Sequence, residues 1–140
     1  MSSINMKNIN ELIVLLNDQD WYIRYKAVNE LIKIGDKAVI PYLIPLIQDH
    51  HWQVRDAVAE ALVSLNAKEI FPELIALLNN DINPDIICNA VKVLGELSAK
   101  ESIPKLIHLM TNYNTDDHVR FVTMDVLVKL GVFSKLLEDF

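Results

Sequence analysis

The amino-acid sequence predicts an all-α chain, a right-handed α-solenoid of about four helical hairpins with a short C-terminal capping helix. Segments with the apolar spacing of an amphipathic helix recur about every 31 to 33 residues along the 140-residue chain. Only 3 residues are glycine, where about ten are average for this length, so folds rich in tight turns are disfavoured. No segment alternates apolar and polar residues with the period of a strand, so no β-strand is predicted.

One type of predicted helix carries the clearest repeat. Its four copies read WYIRYKAVNELIKIG, WQVRDAVAEALVSLN, PDIICNAVKVLGELS and DHVRFVTMDVLVKLG. Apolar residues fall at matching helical positions in each copy, which indicates one buried face per helix. The residues that directly precede the copies are predicted N-caps, the histidine being the poorest of them. They are Asp20, His51, Asn83 and Asp116.

A second type of predicted helix alternates with the first. It reads IPYLIPLIQD, FPELIALLNND and IPKLIHLMTN, and NINELIVLLND near the N-terminus is a copy without proline. Proline in the first turn of a helix presets φ without losing a hydrogen bond, so Pro41, Pro72 and Pro104 mark helix starts. Pro45 lies one turn further along and is predicted to kink its helix.

Together the two types predict a single domain over residues 1–140. A short tail helix over about 132–138 would close the stack of hairpins. The predicted repeats cover about residues 6–34, 39–65, 70–97 and 102–130. The predicted helix pairs are 6–17 with 20–34, 39–48 with 51–65, 70–79 with 84–97, and 102–112 with 117–130.

The charge balance narrows the classes of partner. The chain has 13 Lys and Arg against 19 Asp and Glu, a net charge of −6. Nucleic acids and anionic membranes reward a basic surface, so both are disfavoured as partners. No run of 18 apolar residues is present to span a membrane, and no secretory leader is recognisable. A lone cysteine, Cys88, allows no intrachain disulfide and favours a reducing compartment, so the expected location is the cytoplasm.

The sequence offers no constellation typical of catalysis. It lacks the phosphate-binding GxxxxGK[ST], the nucleophile-elbow GxSxG and the zinc-binding HExxH patterns. His50 and His51 are neighbours at a predicted turn, where a solvated pair is expected rather than a metal site. Cys88 has no CxxC partner and is expected to be a structural thiol rather than a nucleophile. No catalytic residue, metal site or cofactor is predicted.

The segments IRYKAVNEL, VRDAVAEAL and VRFVTMDVL share a Val-Arg-x-x-Ala-like core. With the proline-initiated helices and the acidic turns, they resemble the short, armadillo-like HEAT repeat named after phycobilisome lyases. The resemblance covers about residues 8–131 and implies an α-solenoid. The first hypothesis for function is a noncatalytic adaptor or scaffold that binds another protein. The alternative that the resemblance implies is a bilin lyase or chaperone-like subunit acting on phycobiliproteins.

Arginine recurs at one position of the repeat. Arg24, Arg55 and Arg120 occupy it in three copies, and Ile87 takes their place in the third. A guanidinium can bridge the carboxylate of an acidic turn, such as Asp49, to a neighbouring repeat. We therefore interpret the three arginines as structural contacts between repeats, with ligand recognition as the alternative.

The second helix of each hairpin is predicted to carry the binding surface. Stacked hairpins present their second helices on one concave face, so side chains off the core are predicted to contact a partner. Tyr and Trp are enriched at binding hot spots, although packing between repeats is an equal alternative for the two tryptophans. The predicted binding residues are Trp21, Tyr22, Tyr25, Asn29, Trp52, Gln53, Asp56, Glu60, Asp85, Cys88, Lys92, His118, Phe121 and Asp125.

The nature of the partner follows from the same residues. Acidic side chains among the aromatics, such as Asp56 and Glu60, indicate a partner with some basic character. The partner is predicted to be another protein of unknown identity. Apolar residues near both ends of the chain, such as Val14 and Phe133, leave open a monomer or a weak homo-oligomer.

Overall fold

The computed structural model describes residues 7–79 and 82–134, and these form eight α-helices and four short 3-10 segments. No strand occurs among these residues, in agreement with the all-α prediction. The helices are α1 (Ile9–Leu15), α2 (Trp21–Ile34), α3 (Ile40–Leu43), α4 (Trp52–Ser64), α5 (Phe71–Ala76), α6 (Pro84–Glu96), α7 (Ile103–Thr111) and α8 (Asp117–Lys129). We call α2, α4, α6 and α8 the second helices.

All four second helices begin at a capping side chain. Asp20, Asn83 and Asp116 each accept a hydrogen bond from the backbone N–H two residues ahead, at 2.8 to 2.9 Å. His51 does the same through Nδ1, at 3.2 Å. An imidazole can accept only through an unprotonated nitrogen, so this cap needs the neutral ring with its proton on Nε2.

Left-handed residues follow the second helices. Gly35 and Gly131 have φ of 73° and 82°, and Asn66 and Ser98 have φ of 52° and 57°. Glycine adopts this conformation without a Cβ clash, asparagine tolerates it, and serine adopts it at a higher cost. Each second helix therefore ends in the same way although the residue differs.

Proline begins three of the shorter helices, as the sequence predicts. Pro41, Pro72 and Pro104 lie in the first turns of α3, α5 and α7. Each of these helices follows a 3-10 segment, Lys37–Val39, Lys68–Ile70 or Lys100–Ser102. Pro45 lies where α3 gives way to the 3-10 segment Ile44–Gln48, because proline has no N–H to continue the α-helical ladder.

The first helices of three hairpins are shorter than predicted, and α3 is one of them because it gives way to a 3-10 segment at Ile44. The α5 helix stops at Ala76 because the N–H groups of Leu77 and Leu78 bond three residues back instead of four. The end of α1 tightens in the same way after Leu15. Of the predicted tail helix, 132–133 lie in a turn, Ser134 is helical, and 135–138 lie outside the described residues.

The chain divides into two compact units, Met1–Ala67 and Lys68–Phe140. In the first unit, α2 packs against both α1 and α4, and α3 packs against α4. Both α2 and α4 contribute buried side chains to the core of this unit. Ala27 and Val28 of α2 and Ala61 of α4 are completely buried.

The second unit has its own core. The α8 helix packs against α6 and α7, and α5 packs against α6. Gly95 lies on α6 where a Cβ would come within 2.9 Å of both Val126 methyl carbons on α8. Glycine therefore permits the close approach of these two helices. The single domain predicted for residues 1–140 stays a prediction.

Candidate functional site

The predicted binding residues on the second helices are accessible to solvent, with the exception of Cys88. The half-buried members are Trp21, Tyr25, Asn29 and Gln53. The exposed members are Tyr22, Trp52, Asp56, Glu60, Asp85, Lys92, His118, Phe121 and Asp125. Their binding role stays a prediction.

Aromatic side chains gather at the N-terminal ends of α2 and α4. The ring centroid of Trp21 lies 5.7 Å from that of Tyr22 and 6.3 Å from that of Tyr25. The two tyrosine rings are 6.2 Å apart. We call Trp21, Tyr22, Tyr25, His51 and Trp52 the aromatic cluster. It combines residues from both hairpins of the first unit.

A stacked pair joins the two hairpins. The rings of Trp21 and His51 are parallel within 5°, with centroids 3.7 Å apart. The Trp52 ring lies 6.3 Å from His51 and is 58% exposed. The two tryptophans therefore differ, since Trp21 packs between repeats and Trp52 presents its ring to solvent.

A groove of about 180 Å³ lies between α2 and α4, and we call it the first groove. Tyr25 and Asn29, one turn apart, line it from α2. From α4 the groove is lined by the ring of Trp52, the carboxamide of Gln53, the carboxylates of Asp56 and Glu60, and the methyl group of Ala57. The structure thus brings six of the predicted binding residues together in one concave surface.

A second groove, of about 130 Å³, lies between α6 and α8 in the second unit. It brings together Lys92, Phe121 and Asp125 of the predicted set. Its rim holds an ion pair in which Lys129 Nζ lies 2.6 Å from a Glu96 carboxylate oxygen. The five remaining predicted residues line neither groove, and they are Trp21, Tyr22, Asp85, Cys88 and His118.

An arginine ties the first hairpin to the turn of the second. Arg24 donates from Nε and Nη2 to the two carboxylate oxygens of Asp49, at 2.8 and 2.9 Å. Its Nη1 donates to the Asp18 carbonyl at 2.8 Å. The pair is largely buried, with side-chain exposures of 15% and 9%. Asp49 Oδ1 also accepts the N–H of His51 at 2.9 Å, so the ion pair orients the residue that stacks on Trp21.

The two charges of this pair stabilise each other. The hydrogen bond to Asp49 raises the pKa of Arg24, although burial opposes the shift. Burial acts to raise the pKa of Asp49, but the hydrogen bonds from Arg24 and from the His51 N–H outweigh it and hold that pKa below its usual value. Both groups are therefore charged throughout the neutral range.

The comparison with known proteins agrees with this repeated packing. A family model for HEAT repeats matches residues 9–86, which is more than half of the chain. The chain belongs to the HEAT repeat family. HEAT repeats commonly mediate contacts between proteins. No curated protein is matched by the chain.

Arg55 has the same position in the HEAT register as Arg24. It is buried, and its Nη1 donates to the carbonyls of Asp49 and His50 at 2.8 and 3.3 Å. Arg24 contacts the carbonyls of Asp18 and Gln19, which lie 31 residues earlier in the chain than those of Asp49 and His50. Each arginine therefore fastens the start of its own helix to the preceding turn.

Arg120 makes a different contact from the one that the sequence predicts. Its Nη2 donates to Asp117 at 2.9 Å, one turn earlier on α8. Asp117 is 94% exposed, so this pair lies in solvent and joins two residues of one helix. The contact does not link two repeats, because the carboxylate is on α8 itself rather than on a neighbouring turn.

The expectation that Cys88 faces a partner is wrong about its exposure. Only 4% of Cys88 is accessible, since it lies on the core side of α6. Burial raises the pKa of its thiol, and Lys92 opposes the shift. The thiol is therefore protonated at neutral pH and is a packing group in this HEAT repeat chain.

Some residues of the candidate surface escape the sequence argument. His51 reads as a weak cap, yet it also stacks on Trp21. Gly95 and Val126 line the second groove, although neither is in the predicted set. The only sequence signal for His51 is its place beside Trp52, because the partner ring lies 30 residues away along the chain.

Within residues 7–79 and 82–134, no three His, Cys, Asp or Glu side chains are grouped so that they could hold a metal ion. None of the helices in these ranges has the length and apolar character needed to cross a membrane.

Proposed function

We propose that the chain is a noncatalytic protein-interaction module that binds another protein on the exposed side of its second helices. The observation that carries the proposal is the aromatic cluster beside the first groove. Tyr22 is 48% exposed and Trp52 is 58% exposed. Tyrosine and tryptophan are among the residue types most enriched at binding hot spots. A partner that covers these rings gains hydrophobic stabilisation from them.

The rigidity of the surface also supports this function. Trp21 is held by the stack on His51, and His51 is held by its bond to Asp49. Trp21 and His51 therefore form a packed base against which the exposed rings of Tyr22 and Trp52 lie. A preorganised surface loses less side-chain entropy on binding, which favours affinity.

The test is the affinity for a native partner, captured from cells, identified and then purified. Tyr22→Ala and Trp52→Ala are expected to weaken binding at least about tenfold, because hot-spot aromatics carry about 2 kcal/mol or more. Tyr42→Ala is the matched control, since this tyrosine of α3 is equally exposed, at 51%, outside the cluster. Equal affinities for all three variants and the wild type would contradict the proposal.

The alternative of a bilin lyase or chaperone-like subunit rests on the resemblance to the phycobilisome-lyase type of HEAT repeat. It predicts that a free bilin mixed with the chain and a phycobiliprotein shows altered absorbance through binding or transfer. An unchanged spectrum would favour the interaction module. No contact among the described residues favours the lyase over the module.

A further inference from the structure

The first groove combines an apolar wall with acidic groups. The rings of Tyr25 and Trp52 line it from opposite helices, and the buried methyl group of Ala57 lies beside them. Asp56 and Glu60 follow Trp52 at successive helical turns of α4, so their carboxylates lie on the same side of the helix. The groove therefore offers aromatic carbon and negative charge to one occupant.

Among the described residues, those that line this groove include no cationic side chain. The nearest arginines in the register are engaged elsewhere, Arg24 with Asp49 and Arg55 with the carbonyls of the preceding turn. Lys26 places its ammonium 5.3 Å from the centroid of Tyr22, outside the groove. This contact shows that a ring of the aromatic cluster already accepts a cation on its face.

The occupant that fits must meet both features. An acidic side chain would be repelled by Asp56 and Glu60, and a purely apolar one would cover these carboxylates without offering them a positive charge. Arginine and lysine have an apolar stem, which packs along aromatic rings, and a cationic head, which a carboxylate binds. Asn29 and Gln53 add carboxamide groups that can bond to the backbone of a bound segment.

We propose that the first groove binds one arginine or lysine side chain from a basic segment of the partner protein. This proposal rests on the proposed function and specifies the chemistry of the ligand. The aromatic rings hold the stem and the carboxylates of Asp56 and Glu60 hold the head. Both contacts act together only for a side chain that is cationic at its tip.

The probes are short peptides of one Gly-Ser host sequence with two central arginines, two lysines or two citrullines. Citrulline has the shape of arginine without its charge. Binding is followed by NMR on the intact chain, through the indole N–H of Trp52 and the side-chain amides of Asn29 and Gln53. The cationic peptides are expected to shift these signals saturably, and the citrulline peptide to bind about tenfold more weakly.

Two double variants distinguish the effect of the groove carboxylates on binding from the effect of the chain's net negative charge. Asp56→Asn with Glu60→Gln is expected to weaken arginine-peptide binding about tenfold, because both partners of the cationic head lose their charge. Glu73→Gln with Glu101→Gln removes the same number of charges at exposed positions outside both grooves and is expected to bind like the wild type. Thermal melts confirm that both variants are folded.

The outcomes distinguish this proposal from the broader one. Equal binding of the citrulline and arginine peptides, or equal weakening in the two double variants, would overturn the basic ligand and leave the interaction surface intact. The absence of any peptide-induced shift at Trp52 would also overturn it. The proposed function itself is decided by the native partner and the Tyr22 and Trp52 variants, which do not depend on the peptides.

Discussion

Arg24 connects two turns of the first unit through one planar guanidinium group. Its two bonds to Asp49 require the fork geometry of arginine, which the single ammonium of lysine does not reproduce. Arg24→Lys is therefore expected to lower the free energy of unfolding, and Arg24→Ala to lower it by about 3 kcal/mol because a buried carboxylate loses its partner. Urea denaturation measures both values.

Arg120→Ala is the matched control for this prediction. Its pair with Asp117 is exposed and lies within one helix, so its loss is expected to change stability by about 0.5 kcal/mol or less. Equal losses at Arg24 and Arg120 would show that the contact between hairpins does not stabilise the fold.

The same ion pair predicts how stability depends on pH. The pKa of Asp49 is lower in the folded chain than in the unfolded one, so the pair stabilises the fold above about pH 4 and loses this effect as the pH falls through the folded-state pKa. The difference in unfolding free energy between the wild type and Asp49→Asn should be constant from about pH 8 to 5 and shrink at lower pH. A difference that persists unchanged at about pH 2.5 would contradict this cause.

Ser98 has a left-handed backbone conformation after the end of α6. Glycine occupies the equivalent position after α2 and after α8, at Gly35 and Gly131. Ser98→Gly is expected to raise the free energy of unfolding by up to about 1 kcal/mol, because it removes the steric cost of the Cβ at positive φ. Asn66→Gly should gain less, since asparagine tolerates this region better. Urea denaturation of the two variants checks the order, and an equal or larger gain at Asn66 would be against it.

At the scale of the helices, Gly95 permits a close contact between α6 and α8. Gly95→Ala would add a methyl group 2.9 Å from both Val126 methyl carbons, and this overpacking costs about 1–3 kcal/mol. Alanine also favours the helix by up to about 1 kcal/mol over glycine, so the net change should be destabilising. The comparison of thermal and urea unfolding with the wild type measures it.

Val126→Ala provides the test of the mechanism. It removes both methyl groups that an alanine at position 95 would meet. In this background Gly95→Ala should become neutral or stabilising, because only the gain in helix propensity remains. A destabilisation of the same size in both backgrounds would show that the contact with Val126 is not the cause.

The sequence predicts the order and type of the helices because each carries its own signal. Capping residues such as Asp20 and Asn83, and prolines such as Pro72, act within a few residues of the helix start. The lengths of α1 and α5 are not predictable in this way. Whether a last turn bonds three or four residues back depends on packing, which no local pattern encodes.

The candidate surface is predictable only in part for a related reason. Helical periodicity distinguishes the core side of α4 from its other side, so Trp52, Asp56 and Glu60 emerge as accessible. Periodicity fails at the boundary of the apolar face of α6, where Cys88 is buried. It also cannot reveal the stack of Trp21 on His51, because that contact depends on how two hairpins meet.

For the whole molecule, the two units offer grooves of different charge. The first groove is lined by two carboxylates and no cation, whereas Lys92 and Lys129 line the second together with Glu96 and Asp125. Of these two grooves between described residues, the first is therefore the one that presents acidic groups without a basic one. For this reason we predict that a basic ligand binds between α2 and α4.

The packing within each unit also determines how fast the chain can fold. Helices that pack together are sequence neighbours or are separated by one short helix, as α2 and α4 or α6 and α8 are. Contacts between residues close in sequence require little loop closure, and helical proteins of this kind fold in milliseconds or less, on the order of 10³ s⁻¹ or faster. Stopped-flow refolding followed by tryptophan fluorescence should show its main phase on this timescale, and a main phase lasting seconds would contradict it. A chain that buries its apolar faces this quickly leaves them exposed to other chains only briefly.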